Sequence, residues 1–255
     1  MALAAKGLIA LAFGAAGLVA CGGTPLDSIT VDPRSLLPGL VAHWTFDEGS
    51  GTTVGDYSGN GHDGALNGGT WIRDGRFGGA LQLALQDYVI VSVFQQPTTS
   101  WTVSAWIRMS SAQLDANIAT NDYGTILSTE LPLAGGYQLQ LDNRDTFRRL
   151  RAAYWPTSGG SYVVDNCECE VVDQWIHLTE VFDDVAQKFT LYEGTSVAAE
   201  ATMPGPIATG DSTLYMGKWE KDARFLAADL DDFAIWSRAL TAGEVAILSQ
   251  QPPTE

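Results

Sequence analysis

The sequence predicts an all-β protein built as a two-sheet sandwich, with a short helix at its C-terminal end. From Leu40 onward, aromatic and β-branched residues recur at every second position in short segments, which is the pattern of half-buried strands. Glycine, proline, asparagine and aspartate separate these segments. The segments do not alternate with helical patterns, so each strand would bury one face against a second sheet.

Ten segments carry the strand pattern, and one helix is expected after them. Thr241 and Glu244 have the Thr-x-x-Glu spacing of a capping box, which satisfies free N–H groups where a helix begins. We therefore predict a helix over residues 242–250. The ten segments are LVAHWTF, ALQLALQDYVIVSV, SWTVSAWIRM, GTILST, GYQLQLD, RRLRAAYW, QWIHLTEVFD, KFTLYEG, STLYMGK and LDDFAIWS.

Length and charge limit the class of protein. With 255 residues and 45% hydrophobic content, the chain can bury one sizeable core, so a single globular domain is expected. The formal net charge is -16, with 30 acidic against 14 basic residues, and such a surface repels a polyanion. We therefore exclude nucleic acid as a partner. The acidity would serve solubility or favour divalent cations.

The first twenty residues have the features of a secretory signal: an early charge at Lys6, then an apolar run too short for a comfortable membrane span. The run ends in Leu18-Val19-Ala20-Cys21, which resembles the lipobox of bacterial lipoproteins. This resemblance implies a signal peptide over 1–20 and lipidation of Cys21 as the new N-terminus. Residues 21–39 would be a tether and 40–251 the domain. The protein would then lie outside the cytoplasm in the bacterial cell envelope, bound to a membrane through its lipid.

Two further cysteines, Cys167 and Cys169, lie one residue apart. Exported chains favour oxidation, so the two could form a local disulfide, although its ring would be very small and strained. A structural role without the bond is the alternative. A zinc site is not expected, because zinc needs four ligands and His43, His62 and His177 are scattered along the chain.

The stretch FDEGSGTTVGDYSGNGHDG, residues 46–64, is dense in glycine and in side chains that carry oxygen. It contains no lysine and precedes no helix, which excludes a phosphate-binding loop. Its acidic residues do not have the spacing of an EF-hand. We therefore predict a long loop whose turns are held by side chain to backbone hydrogen bonds from Asp56, Ser58, Asn60 and Asp63.

Several stretches, in order along the chain, resemble the laminin-G-like domains of the concanavalin A-like lectin/glucanase superfamily. The most specific are LVAHWTFDEGSGTTVGDYSGNGHDGAL near the beginning and DDFAIWSRALTAGEV near the end, with RFGGALQL, SWTVSAWIRM and DQWIHLTEVFD between them. The likeness runs over residues 40–250. It implies a jelly roll of two antiparallel sheets that is used for binding or adhesion.

The same resemblance implies a structural calcium ion. In the superfamily, calcium commonly joins a carboxylate near the first strand, a carbonyl from a glycine-containing turn and an aspartate near the last strand. Asp47, Gly79 and Asp231 match those places. Ca²⁺ takes oxygen ligands from distant parts of a chain, so one ion would join both ends of the domain. The alternative is that both aspartates only accept hydrogen bonds from nearby backbone.

The superfamily also contains glycanases, so a glycoside hydrolase of the same fold is the alternative function. A retaining glycosidase needs two carboxyl groups about 5 Å apart. The Glu-x-Asp-x-x-Glu and Glu-x-Asp-x-Glu motifs that supply them in the related glucanases are absent from this chain. The nearest pairs are Glu168 with Glu170 and Glu180 with Asp183. We therefore predict that the protein is not an enzyme.

A binding module needs a surface for its ligand, and sugars stack on exposed aromatic rings. Tyr154, Trp155 and Trp219 lie at a strand end or in a loop, and we predict them to be the ligand-binding residues. The partner would be a carbohydrate or an envelope or extracellular protein, and the sequence leaves both open. The tryptophans at strand centres are predicted to be core residues: Trp44, Trp106, Trp175 and Trp236.

Overall fold

The computed structural model of the chain describes residues 32–120, 122–129, 135–144, 149–158, 162–168, 172–203, 205–208, 213–219 and 224–253. Within these ranges the protein has sixteen strands, two α-helices and one short 3-10 helix. The strands form two eight-stranded sheets packed as a sandwich. The predicted fold class, an all-β antiparallel sandwich with a C-terminal helix, is therefore confirmed.

The strands are numbered in chain order. They are β1 (Leu40–Trp44), β2 (Thr53–Val54), β3 (Gly64–Asn67), β4 (Thr70–Ile72), β5 (Ala80–Leu83), β6 (Tyr88–Val91), β7 (Trp101–Arg108), β8 (Tyr123–Ser128), β9 (Tyr137–Asp142), β10 (Arg149–Tyr154), β11 (Tyr162–Glu168), β12 (Ile176–Asp183), β13 (Lys188–Glu193), β14 (Ser196–Thr202), β15 (Leu214–Met216) and β16 (Ala228–Trp236). The helices are α1 (Ser111–Thr120) and α2 (Ala242–Leu248), and the 3-10 helix spans Pro33–Leu36.

All pairings between the named strands are antiparallel. The first sheet has the order β14-β13-β12-β7-β16-β5-β4, and β1 also pairs with β16. The second sheet has the order β11-β10-β9-β8-β15-β6-β3-β2. Because β1 and β16 pair, with His43 opposite Ala234, the first and last strands of the domain are neighbours.

The core between the sheets is built around Trp101, the first residue of β7. Its ring stacks on that of Phe182, with centroids 4.4 Å apart, and on that of Tyr137 from the second sheet, at 5.5 Å. Tyr154 and Phe189 complete this aromatic cluster, and all five side chains are fully buried. Burial of large rings of this kind supplies much of the free energy that stabilises such a domain.

A second apolar cluster lies on the outer face of the first sheet, where α2 and the 3-10 helix cover Trp236. The Trp236 indole donates a hydrogen bond to the Leu36 carbonyl at 2.6 Å. Arg238 donates to the carbonyls of Pro38 and Ser35 at 2.7 and 2.6 Å. The segment that precedes β1 is therefore fastened directly to the end of β16.

Of the two α-helices, the sequence predicted one. The capping box at Thr241 and Glu244 is complete in α2, which ends at Leu248, two residues earlier than predicted. Helix α1 was not predicted. At its start, Ser110 and Gln113 form a reciprocal cap: the Ser110 N–H donates to the Gln113 side chain, and the Gln113 N–H donates to the Ser110 hydroxyl. The Ser-x-x-Gln spacing in the sequence is the pattern of such a cap. Neither α-helix in the described ranges is long and apolar enough to cross a membrane.

The glycine-rich stretch is held as predicted. The Asp56 carboxylate accepts hydrogen bonds from the backbone N–H groups of His43, Ser58 and His62, at 2.9 Å each. Asp63 accepts one from the N–H of Asp56 at 2.8 Å. The short strand β2 lies inside this stretch, and it is one of five that the periodicity did not reveal, with β3, β4, β11 and β14.

Candidate functional site

Asp47 and Asp231 lie close together beside one connection of the first sheet. Asp47 follows β1 by three residues, and Asp231 belongs to β16, with which β1 pairs. The connection between β4 and β5, residues 73–79, contacts both aspartates through backbone hydrogen bonds. The fold therefore brings Asp47 and Gly79 together with Asp231, which follows both of them by more than 150 residues in the sequence.

Both carboxylates hold this connection. The Gly79 N–H donates to Asp47 Oδ1 at 2.5 Å. The N–H groups of Arg76 and Phe77 both donate to Asp231 Oδ2, at 2.6 and 2.9 Å. Hydrogen bonding from nearby backbone, the alternative to a metal role, thus accounts for one oxygen of each aspartate.

Glycine is required at two positions, because the connection passes very close to these oxygens. A Cβ atom on Gly75 would collide with the Gly79 carbonyl and lie 2.9 Å from Asp231 Oδ2. Gly78 has a φ of 88°, which favours glycine, and a Cβ atom there would collide with Asp47 Oδ1. The carbonyl oxygen of Gly79 and Oδ2 of Asp231 therefore both lie next to the Cα atom of Gly75.

The residue beside each aspartate has a left-handed backbone. Phe46 precedes Asp47 with a φ of 57°, and Asp232 follows Asp231 with a φ of 51°. Outside glycine this conformation is uncommon and costs about 1–3 kcal/mol, so it persists only where the surroundings impose it. Asp232 is held by the buried ring of His43, whose Nε2 lies 2.6 Å from its Oδ1. Strain is thus stored at the residues next to the two aspartates that hold the connection.

Asp231 is an under-satisfied carboxylate. Its Oδ1 is buried and has no hydrogen-bond partner in the described structure. Burial, together with the charges of Asp232 and Asp47, raises the pKa of Asp231 to about 7, although the hydrogen bonds from Phe77 and Arg76 act in the opposite direction. A bound cation would favour the ionised carboxylate and give Oδ1 a partner. The donor set therefore fits a hard cation.

In the described ranges, no three His, Cys, Asp or Glu side chains group in a way that could hold a metal ion. A cation between Asp47 and Asp231 would thus take its other ligands from backbone carbonyls and water, which Ca²⁺ accepts. The Gly79 carbonyl is one such oxygen. The carbonyls of Phe46 and Ile72 are others, since they lie 3.2 and 3.3 Å from the position of a Cβ atom on Gly79.

The structure corrects one of the three predicted ligand-binding rings. The Tyr154 side chain is fully buried, with its ring centroid 5.6 Å from that of Trp101, so it presents no face to a ligand. Side chains alternate between the two faces of a strand. Leu150 and Ala152 of β10 face the core, so Tyr154, two residues further on, faces it as well. Trp155, the next residue, is half-buried.

Trp219 lies against one arginine of a group that surrounds Tyr123. Its side chain is nearly buried, and the Arg224 guanidinium lies 4.3 Å from its ring centroid. The guanidinium groups of Arg144, Arg151 and Arg224 also surround the Tyr123 ring, at 4.2, 4.6 and 5.2 Å. One face of Trp219 is therefore covered by a cation, a stacking contact that sequence spacing does not reveal.

Of the four tryptophans predicted to be core residues, three are buried and one is not. Trp44 and Trp236 are fully buried, and Trp106 is nearly so. Trp106, however, alternates with Ala105 and Ile107, which face the core, and so lies on the outer face of the first sheet. Trp175 precedes β12 and is only half-buried, so its prediction as a core residue was wrong.

The predicted lipidation site and half of the predicted disulfide, Cys21 and Cys169, lie outside the described residues, as does Glu170. Cys167 and Glu168 are the last residues of β11.

Glu180 lies inside the sandwich. Its side chain is fully buried, and neither carboxylate oxygen has a hydrogen-bond partner of normal geometry among the described residues. Burial raises the pKa of Glu180 to about 8, an effect that the adjacent Trp101 indole only partly offsets. The pKa of Tyr137 is raised well above its usual range by burial and by the charge of Glu180. Glu180 is thus enclosed by aromatic side chains, away from any substrate in solvent.

A two-sheet antiparallel sandwich with these features defines a lectin-like jelly-roll domain. The chain belongs to the Laminin_G_3 family of the concanavalin A-like lectin/glucanases superfamily, whose model matches residues 83–246. No curated protein matches the chain.

The fold is shared with the binding domains of several toxins. The binding domain of Paraclostridial Mosquitocidal Protein 1 matches with a TM-score of 0.67 and 18% identity, over 84% of this chain and 52% of that one. The botulinum neurotoxin serotype D binding domain matches with a TM-score of 0.64 and 14% identity, over 84% and 52%. The serotype D ligand binding domain in complex with N-acetylneuraminic acid matches with the same score and identity, over 86% and 52%. The chain therefore spans about half the length of these structures.

Proposed function

We propose that this protein is a carbohydrate-binding module that lies outside the cytoplasm of a bacterium and is held to a membrane by a lipid on Cys21. The observation that supports the ligand class is the fold, which the chain shares with toxin binding domains, one of them solved with N-acetylneuraminic acid. An envelope or extracellular protein is the alternative ligand, and the glycan array and pull-down described below test both ligand classes.

A structural calcium ion is part of this proposal. Asp47 and Asp231 would supply carboxylate oxygens, and Gly79 a carbonyl oxygen. When bound, the ion would supply positive charge that offsets the two carboxylates. The residues themselves fasten the 73–79 connection to β16 and to the end of β1 through their backbone hydrogen bonds. The role is one of stability, because these contacts join the two ends of the domain.

The proposal contains no catalytic step. Glu180 is fully buried between the sheets, while Asp183 lies three residues further along the same strand, where it is partly exposed. Residues three apart on a strand point to opposite faces, so these two carboxyl groups do not flank a common substrate. This arrangement supports binding over glycoside hydrolysis, the alternative function.

On an array of neutral and acidic glycans, we expect the purified protein to bind at least one glycan class and to release no reducing sugar from it. A pull-down from cell envelope, run in parallel, covers protein ligands. Specific capture of one envelope protein with an empty array would instead favour the protein ligand. Turnover that disappears in Glu168→Gln or Glu170→Gln would make the hydrolase the primary function.

In its native host, the Cys21→Ser variant should leave the membrane fraction and appear in the soluble extracytoplasmic fraction. The reason is that lipidation requires the thiol of Cys21, and acyl chains supply the membrane affinity. Fractionation with immunoblotting measures the shift, and Cys167→Ser is the matched control that should stay with the membrane. An intact mass showing wild-type Cys21 unmodified would overturn the anchor.

A further inference from the structure

A cavity of about 360 Å³ opens on the outer face of the first sheet. Trp106 of β7 and Trp175, just before β12, supply aromatic rings to its wall. The turn between β13 and β14 supplies Glu193 and Thr195, and Ser249 follows α2. The volume is within the range of about 300–1,000 Å³ that is usual for small-ligand sites.

The two indole rings are held in place by arginines. The Arg76 guanidinium lies 4.6 Å from the Trp106 ring centroid, and the His177 ring lies 5.0 Å away. The Arg108 guanidinium lies 4.6 Å from the Trp175 centroid, and Arg108 is itself fixed by ion pairs with Asp74 and Asp229 at 2.9 Å. Because Trp175 is half-buried, supported by Arg108 and part of the wall, it offers a preorganised ring to the cavity.

The ring nitrogens of the wall are turned away from the cavity. His177 Nε2 lies 2.8 Å from Ser104 Oγ, and a backbone hydrogen bond links the His177 ring to Gly194. The Nε1 atoms of Trp106 and Trp175 are buried and have no partner among the described residues. Because these nitrogens are buried, a ligand in the cavity would meet the apolar ring surface of Trp175 rather than its N–H group.

The charges at the cavity select the type of ligand. Burial lowers the pKa of His177 to about 3, so its ring is neutral at physiological pH. Among the described residues of the wall, Glu193 supplies the carboxylate, and the whole chain has a formal net charge of -16. The nearest cations, Arg76 and Arg108, lie against the indole rings of Trp106 and Trp175. A carboxylate on the ligand would be repelled by Glu193. Hydroxyl groups, by contrast, can donate to that carboxylate and interact with the Thr195 and Ser249 hydroxyls.

We propose that this cavity binds one neutral pyranose unit of a glycan, stacked on Trp175, with its hydroxyls directed to Glu193 and Ser249. An aromatic wall with polar groups around it matches a sugar ring, which has an apolar face and a hydroxyl edge. The assignment rests on the proposed carbohydrate-binding function, and it adds the site and the uncharged class of sugar.

The test measures binding of neutral and acidic oligosaccharides by isothermal titration. We expect Trp175→Ala to weaken neutral-sugar binding about tenfold, the loss typical of a ring that anchors a ligand. Thr195→Trp, which fills the cavity from the half-buried turn between β13 and β14, should abolish binding without disturbing Arg108. Tyr57→Ala, which removes an exposed ring from the glycine-rich stretch, should leave the affinity unchanged. An indole ¹⁵N–¹H signal of the wild-type protein should shift when sugar is added. If this signal is absent from Trp175→Ala, it belongs to Trp175 and locates the sugar at the cavity.

The outcomes separate the two proposals. Unchanged neutral-sugar binding in both Trp175→Ala and Thr195→Trp would overturn the cavity and leave the carbohydrate-binding function intact. Binding of acidic sugars alone would overturn the neutral class and point to the arginines around Tyr123. No binding of any glycan by the wild-type protein would overturn the proposed function and the cavity together.

Discussion

Replacing Glu180 with glutamine should stabilise the domain by about 3 kcal/mol at pH 7. Burial raises the pKa of Glu180 from 4.5 to about 8, so the folded state binds a proton that the unfolded state has released. Stability is therefore highest below pH 4.5 and falls by about 1.4 kcal/mol per pH unit until the folded-state pKa is passed. Glutamine keeps the size and removes the ionisation, so the Glu180→Gln variant should lose this decline with pH.

Thermal unfolding between pH 4 and pH 9 measures the effect. At about 2–4 °C per kcal/mol, the variant should melt roughly 6–12 °C above the wild type at pH 7, and the two curves should meet near pH 4.5. Glu200→Gln, at an exposed position of β14 paired with Lys188, is the control and should shift the melting temperature little. Equal pH dependence in Glu180→Gln and the wild type would show that Glu180 is not the group responsible.

Removal of calcium should lower the melting temperature by roughly 5–10 °C. An ion that binds only the folded domain adds RT ln(1 + [L]/Kd) to its stability, about 2.7 kcal/mol when free calcium is near 100 Kd. Asp47→Ala or Asp231→Ala should each remove most of the calcium response. The double variant should add little, because either loss already breaks the same site.

Calorimetry with and without EDTA decides between the ion and simple hydrogen bonding. Asp56→Ala is the control: it removes the acceptor of three backbone hydrogen bonds and so lowers stability, yet the variant should still respond to calcium. Unchanged wild-type melting after verified metal removal would refute the calcium role. Asp47 and Asp231 would then be acceptors for the backbone of residues 73–79 alone.

The sandwich could be predicted from the sequence because its strongest signal is local. The alternation of Trp101, Val103 and Ala105 with Thr102 and Ser104 can be read from neighbouring residues in the sequence. The capping box at Thr241 is likewise contained in four residues. The short strands β2 and β4 were missed because two or three residues carry no periodicity. Helix α1 was missed although its Ser110–Gln113 cap is visible in the sequence.

The sites were harder to predict because they depend on which face a residue takes. Period two places Tyr154 and Trp155 on opposite faces but does not tell which face is covered, so Tyr154 was predicted to bind a ligand although it is fully buried. Convergence of Asp47 with Asp231 was reachable only through the family resemblance. Asp231 Oδ1 lacks a partner in the described structure because of how the surrounding residues pack. The order of residues in the sequence does not reveal such packing.

The fastening of the N-terminal segment to β16 determines how the domain carries mechanical load. A pull on the residues before Asp32 enters at Pro33–Leu36 and passes into β16 through Trp236 and Arg238. Within the first sheet, β16 is bonded to β1, β5 and β7, so the load spreads as shear over several ladders at once. Shear breaks many hydrogen bonds together, whereas peeling a single edge strand breaks them one at a time. A domain tethered at this end would therefore hold a ligand against flow without first unravelling from its own attachment point.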